Sequence, residues 1–130
     1  MDKALRDWLS SLRAMDTPAA EVAIRDRVEA DGHWGAAGLA IRHSILPKQE
    51  MRRLAQEMLE GLGRPMANHQ NYLMLAERLG MAHFKALLAH HFPSDCSHRD
   101  LLEYNLKLVT RDLKSDADKV ELRQFLSARF

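Results

Sequence analysis

Apolar residues recur every three or four positions along most of the chain, which is the spacing of one face of an α-helix. The first predicted helix covers about residues 3–15. Its apolar stripe consists of Leu5, Trp8, Leu9 and Leu12. No stretch alternates apolar and polar residues for long enough to predict a strand, and β-branched residues are scarce. The pattern therefore predicts an all-α chain.

Proline, glycine and small polar residues divide the first half of this pattern into separate helices. Thr17 is the expected N-cap of the second helix, whose apolar positions include Val22, and Gly32 ends it. The third helix is expected over about residues 33–45, and Pro47 opens the fourth.

The second half of the chain carries similar boundary signals. Asn68 is the expected cap of the fifth helix, which Gly80 closes in a left-handed conformation. The sixth helix is expected to stop before Pro93. Ser97 is the expected cap of the seventh helix. Ser115 precedes Asp116 and Asp118, acidic residues that suit the N-terminus of the eighth. These signals predict about eight helices of one to four turns, with Val120, Phe125 and Leu126 as apolar positions of the last one.

The length of the chain, 130 residues, is typical of one domain. Short connections favour antiparallel packing of neighbouring helices, in a bundle or an array of helical hairpins. We therefore predict a single all-α domain over residues 1–130. The glycine- and proline-rich segment 61–65 is the clearest break in the pattern and is the expected place of a hinge.

Composition narrows the possible partners and compartments. Nineteen basic residues oppose 18 acidic ones, so the formal net charge of +1 disfavours nucleic acid as a partner. Cys96 is the single cysteine, which fits a reducing compartment. A charged N-terminus and the lack of a long apolar run argue against a secretory signal and a membrane span. These features predict a soluble, cytoplasmic protein that does not contact a membrane.

Methionine and phenylalanine residues offer a candidate contact surface. Methionine adapts its shape and is common on surfaces that receive partner helices, and the last helix carries more apolar side chains than a solvated helix needs. The predicted partner-binding residues are Met51, Met58, Met66, Met74, Met81, Phe125 and Phe130.

Histidine and cysteine residues concentrate around the turn that follows the sixth helix. Imidazole and thiolate groups are good ligands for transition metals such as zinc or iron. Helix C-termini also favour histidine, because a partial positive charge is stabilised there. The candidate metal ligands are His83, His90, His91, Cys96 and His98.

A helix-turn-helix is a further alternative for the fifth and sixth helices. The segment Leu75-Ala76-Glu77-Arg78-Leu79-Gly80 has the small residue and the turn glycine that this motif requires. The helix that follows would read the major groove of DNA. It offers Lys85 as its one lysine and no arginine, glutamine or asparagine, so DNA binding is disfavoured.

One junction carries a resemblance to known enzymes. The residues Gly63-Arg64-Pro65-Met66-Ala67-Asn68-His69 precede a helix that ends in Leu79-Gly80. This run faintly resembles a helix junction of the heme-oxygenase-like helical enzymes, which include pyrroloquinoline-quinone-synthase-like proteins. The resemblance implies Glu60 and His69 as positions of interest. It covers one junction, and the chain is shorter than the bundle of that family, so membership is not inferred.

The leading functional hypothesis is a non-enzymatic protein-interaction module, such as a small adaptor, chaperone or immunity-type protein, with its partner in a groove between helices. It rests mainly on the lack of a catalytic constellation or phosphate loop in the sequence. The first alternative is a metal-dependent helical enzyme that uses the histidine-rich turn. The second alternative is the helix-turn-helix DNA-binding protein.

Overall fold

The computed structural model describes residues 2–43, 45–61 and 69–130, with the side chains of all of these except 59–61. All regular secondary structure in these residues is helical, which confirms the all-α prediction and the expected number of helices. The helices are α1 (Lys3–Arg13), α2 (Thr17–Asp31), α3 (Gly35–Arg42), α4 (Lys48–Gly61), α5 (His69–Leu79), α6 (Met81–His90), α7 (Cys96–Asp112) and α8 (Asp116–Arg129).

The chain forms two compact units, Met1–Ala55 and Gln56–Phe130, with the boundary inside α4. The predicted hinge segment begins at Gly61, the last residue of α4. Its remaining residues, 62–65, lie outside the described residues. The single-domain organisation and the hinge stay predictions.

In the first unit, α2 packs against both α1 and α3. Leu12, Ile24 and Ala37 are buried, one from each of these helices. Val22, an expected apolar position of α2, is instead 57% exposed. That expectation was wrong because α2 turns the neighbouring Glu21 inward, which directs Val22 to solvent.

Glu21 is a buried carboxylate with two arginine partners. Its Oε1 atom lies 3.2 Å from Arg53 Nη2 on α4, and its Oε2 atom lies 3.5 Å from Arg25 Nη1. A buried charge is tolerated only where it is paired and hydrogen-bonded. The two guanidiniums therefore explain why α2 can bury this carboxylate.

In the second unit, α7 packs against α5 and α8, and α6 packs against the same two helices. The buried side chains come from all four helices at helical spacing, as the apolar stripes predict. The largest of them are Tyr72, Phe84, Leu75, Leu79, Leu106, Val109 and Leu122. Leu122 is the one buried residue of α8, whereas Val120, an expected apolar position of that helix, is exposed.

Two helix starts differ from the expected ones. Asp16, not Thr17, caps α2, because its Oδ1 atom accepts a hydrogen bond of 2.9 Å from the Ala19 amide. Asp95, not Ser97, caps α7, and it accepts from both the amide and the hydroxyl of Ser97. In both places a carboxylate one or two residues upstream takes the acceptor role.

The third helix is shorter than expected, because it runs over Gly35–Arg42 rather than residues 33–45. The Nδ1 atom of His33 accepts a hydrogen bond of 3.0 Å from the Gly35 amide, which holds the preceding turn outside the helix. Helix α8 begins, as expected, directly after Ser115, whose hydroxyl accepts a hydrogen bond of 3.3 Å from the Asp118 amide. The expected cap Asn68 lies outside the described residues.

Two glycines have the positive φ that their expected positions require. Gly32 ends α2 with φ 72° and ψ 11°, the left-handed helical conformation. Gly80 separates α5 from α6 with φ 83° and ψ 151°, a region that glycine alone occupies readily.

No helix in the described part of the chain is both long and apolar enough to cross a membrane.

Candidate functional site

The predicted methionine surface is largely part of the core. Met51, Met58, Met74 and Met81 are all buried, each with less than a tenth of its surface exposed. Met66 lies outside the described residues. Packing accounts for the four buried side chains, so their role in binding a partner stays a prediction that the fold does not require.

The two predicted phenylalanines of the C-terminal segment belong to a surface cluster. Phe130 is 38% exposed, and its ring centroid lies 5.3 Å from that of Phe92, with the planes inclined at 47°. Phe92 follows α6 in the loop to α7, and Phe125 lies on α8, each of them half-buried. The end of the chain thus brings three aromatic rings to one surface of the second unit.

Two arginines lie over these rings. The Cζ atom of Arg129 is 5.7 Å from the centroid of Phe92 and 5.5 Å from that of Phe125. The Cζ atom of Arg99 is 5.6 Å from the centroid of Phe92. The Nη2 group of Arg99 also donates a hydrogen bond of 3.3 Å to the carbonyl of Arg129. We call Phe92, Phe125, Phe130, Arg99 and Arg129 the aromatic–arginine cluster.

Sequence reasoning identified only part of this cluster. Phe125 and Phe130 were predicted from the apolar character of the last helix, but Phe92, Arg99 and Arg129 were not. The available signal was Phe92 beside Pro93, a large apolar residue in a loop that would otherwise be polar. The four-residue spacing of Phe125 and Arg129 on the last helix was a second signal. The contacts of Arg99 and Arg129 with Phe92 join residues from different elements, and periodicity contains no information about that distance.

The five candidate metal ligands lie on α6, on the first turn of α7 and at the residue that follows α6. The rings of His90 and His91 meet edge to face, with centroids 4.7 Å apart. Cys96 is exposed, and the Nδ1 atom of His98 lies 3.8 Å from Asp95 Oδ2. His83 is half-buried on α6, two turns before His90.

These ligands do not form a recognisable metal centre in the described part of the chain. There, no three His, Cys, Asp or Glu side chains have an arrangement that could hold a metal ion. The zinc or iron site stays a prediction.

His69, a residue of interest in the junction before α5, forms a hydrogen bond with a carboxylate. Its Nε2 atom lies 3.1 Å from Asp112 Oδ2, across 43 residues of sequence. Arg111 binds the same carboxylate through Nε at 2.8 Å and Nη2 at 3.1 Å. The hydrogen bonds from Arg111, and secondarily the one from His69, lower the pKa of Asp112. The side chain of Glu60, the other residue of interest, lies outside the described residues.

The ionised carboxylate of Asp112 should make the stability of the folded protein depend on pH. Because the folded pKa of Asp112 is below its ordinary value of about 3.9, the stabilisation is complete above that value and is lost as the pH falls through the folded pKa. We expect thermal unfolding to shift to lower temperature below about pH 4, and Asp112→Asn to flatten that dependence. Thermal unfolding followed by circular dichroism at stepped pH measures both effects.

Asp100→Asn is the matched control for that measurement, because Asp100 is an exposed carboxylate on the same helix. This variant should keep the acid dependence of the wild type. An Asp112→Asn profile that superimposes on the wild-type profile would contradict the role assigned to Asp112.

The helix-turn-helix candidate corresponds to α5 and α6, joined at Gly80. Lys85, the one lysine of α6, forms an ion pair of 3.3 Å with Glu121 on α8. The side chain that would bind a DNA phosphate is thus already paired with a carboxylate. DNA binding stays an untested alternative.

Comparison with protein-family models, with curated proteins and with solved structures finds no match for this chain.

Proposed function

We propose that this chain is a non-enzymatic protein-interaction module, such as a small cytosolic adaptor, chaperone or immunity-type protein. One observation carries the proposal: three phenylalanine rings gather at the surface of the second unit beside two arginines. Aromatic residues and arginine are enriched at protein interfaces and dominate their binding energy. The aromatic–arginine cluster is therefore the proposed contact surface, in place of the methionine groove expected from the sequence.

The exposed part of Phe130 is the feature that a partner would bury. Burial of a phenylalanine side chain contributes about 1.5–3 kcal/mol when it is complete, so a residue that is 38% exposed retains part of that gain for a partner. Phe92 packs against the ring of Phe130, and Arg129 lies over both Phe92 and Phe125. The half-buried positions of Phe92 and Phe125 give the surface a fixed shape, which reduces the entropy lost on binding.

A photo-crosslinking amino acid at position 130 tests the proposal in the native host. We expect it to capture one specific protein, because the ring at that position is proposed to contact the partner. Mass spectrometry identifies the captured protein. The further substitution Phe92→Ser should then reduce capture by about tenfold, since it removes the ring against which Phe130 packs.

Position 120 supplies the control, since Val120 is more exposed than Phe130 and lies in the first turns of α8, at the opposite end of that helix. A crosslinker there should not capture the same protein. Equal capture from both positions would contradict the proposal. Stoichiometric metal in protein purified without chelator, together with no captured partner, would instead favour the metal-dependent enzyme.

A further inference from the structure

We infer that the aromatic–arginine cluster binds a segment of a partner protein that presents an Asp or Glu side chain next to an apolar one. This inference rests on the proposed function and adds the chemistry of the partner. Three observations carry it. Neither arginine of the cluster pairs with a described carboxylate, their guanidiniums retain N–H donors, and the ring of Phe130 lies beside them.

The partners of Arg99 and Arg129 are aromatic rings rather than carboxylates. Several other guanidiniums bind carboxylates: Arg25 and Arg53 bind Glu21, Arg27 binds Asp31, and Arg111 binds Asp112. Within the described residues, neither Arg99 nor Arg129 forms an ion pair with a carboxylate. Both lie over aromatic rings instead, where the attraction is weaker and leaves the positive charge formally unbalanced.

The guanidiniums retain donors for a ligand. A guanidinium has five N–H donors in a planar fork that matches the two oxygens of a carboxylate. Arg99 uses its Nη2 group on the carbonyl of Arg129, and Arg129 is solvent-exposed. Stacking on Phe92 restricts both side chains in advance, so a carboxylate would bind without the full cost of ordering them.

The exposed ring of Phe130 sets the second requirement. It lies against Phe92, the same ring that both guanidiniums approach. A carboxylate bound to the arginines therefore places the adjacent residue of its chain near an apolar surface. A segment in which an acidic residue is followed or preceded by an apolar one would therefore bind both the guanidiniums and the ring of Phe130.

A phosphate would recognise the same guanidiniums, but an extended nucleic acid fits the surroundings poorly. Asp100 directly follows Arg99, and Asp95 lies four residues before it; both carboxylates are exposed. A nucleic acid carries a charge at every phosphate and depends on a series of basic contacts, whereas one carboxylate requires only the two guanidiniums. The formal net charge of +1 gives no general attraction for a polyanion.

Selection from a random-peptide display library tests the inference without knowledge of the partner. The full chain is used as bait, beside an Arg99→Gln, Arg129→Gln double variant. We expect the wild type to enrich peptides with Asp or Glu adjacent to a large apolar residue, and the double variant to lose that enrichment. Fluorescence anisotropy should then show that Arg129→Gln weakens binding of the selected peptide by about tenfold or more.

Arg123→Gln is the matched control, because Arg123 is an exposed arginine on the same helix and the change in charge is identical. Its affinity should equal that of the wild type. Arg129→Lys, which keeps the charge but not the planar fork, should bind with intermediate affinity. Thermal unfolding of each variant shows whether the fold is retained, which we expect because cation–π contacts near the surface each contribute little to stability.

Several results would overturn the inference. They are selection of peptides without acidic residues, equal selection by the double variant, no selection at all, or tighter binding of a mixed-sequence single-stranded oligonucleotide than of the peptides. The crosslinking test separates this failure from failure of the proposed function. A partner captured at position 130 with equal yield in Arg129→Gln and Arg123→Gln would leave the proposed function intact and remove only the acidic requirement.

Discussion

Replacing Phe84 by alanine should lower the free energy of unfolding by about 3–5 kcal/mol. Phe84 has no exposed surface, and its helix α6 packs against both α5 and α8. The substitution removes the transfer free energy of the ring and leaves a cavity that these helices fill only in part. Since small domains are stable by about 5–15 kcal/mol, the loss is a large part of the total. Chemical denaturation followed by circular dichroism measures it.

Phe130→Ala is the control for this prediction, because the same change of side chain is made at the surface. It should cost about 1 kcal/mol or less, since the ring is partly exposed and loses mainly its contact with Phe92. Similar losses for the two variants would contradict the assignment of Phe84 to the core and Phe130 to the contact surface.

The same variants address the organisation of the chain. Both tryptophans, Trp8 and Trp34, lie in the first unit, whereas Phe84 lies in the second. Tryptophan fluorescence therefore follows the first unit, and circular dichroism follows the helices of both. If Phe84→Ala shifts the two transitions together, the units unfold cooperatively, as the single-domain prediction requires. A shift of the dichroism transition alone would contradict that prediction.

Replacing Gly80 by alanine should destabilise the protein by about 1–3 kcal/mol through the backbone alone. A Cβ atom at this position would meet no atom within 4 Å, so the cost does not come from a steric clash with a neighbour. It comes from φ 83° with ψ 151°, a conformation that an L-residue with a Cβ atom avoids. Thermal and chemical denaturation of the variant measure the loss.

Gly32→Asn distinguishes this explanation from a general need for glycine. Gly32 has a left-handed helical conformation, which asparagine tolerates, and a Cβ atom there also meets no neighbour. We expect a loss of less than about 1 kcal/mol. If Gly80→Ala were as mild as Gly32→Asn, the strain argument at Gly80 would be wrong.

Structural features that depend on the residues of a single helix, such as where it ends, could be predicted from the sequence. The three-to-four spacing predicted the helices, and Gly32, Gly80 and Ser115 were correctly placed at their ends. These predictions succeed because helix formation and termination depend on neighbouring residues and on backbone preferences. The cap of α2 was misplaced by a single residue, since aspartate and threonine accept the same amide hydrogen bond.

Features that depend on how helices meet were decided by the tertiary structure. The sequence did not distinguish Val22, which is exposed, from Glu21, which is buried, because burial of that carboxylate requires Arg53 from another helix. The pairing of His69 with Asp112 spans 43 residues, and no local pattern indicates it.

The aromatic–arginine cluster shows the same difference between features of one helix and features that depend on how helices pack. The apolar pattern alone predicted that the chain is helical, where several of its helices end, and that Phe125 and Phe130 are more apolar than a solvated last helix requires. The packing of α6 and α7 against the rest of the unit brings Phe92 and Arg99 beside Phe130 and Arg129. Periodicity defines which side chains share a face of one helix, whereas contact between distant residues depends on the packing of helices against one another, which no single segment specifies.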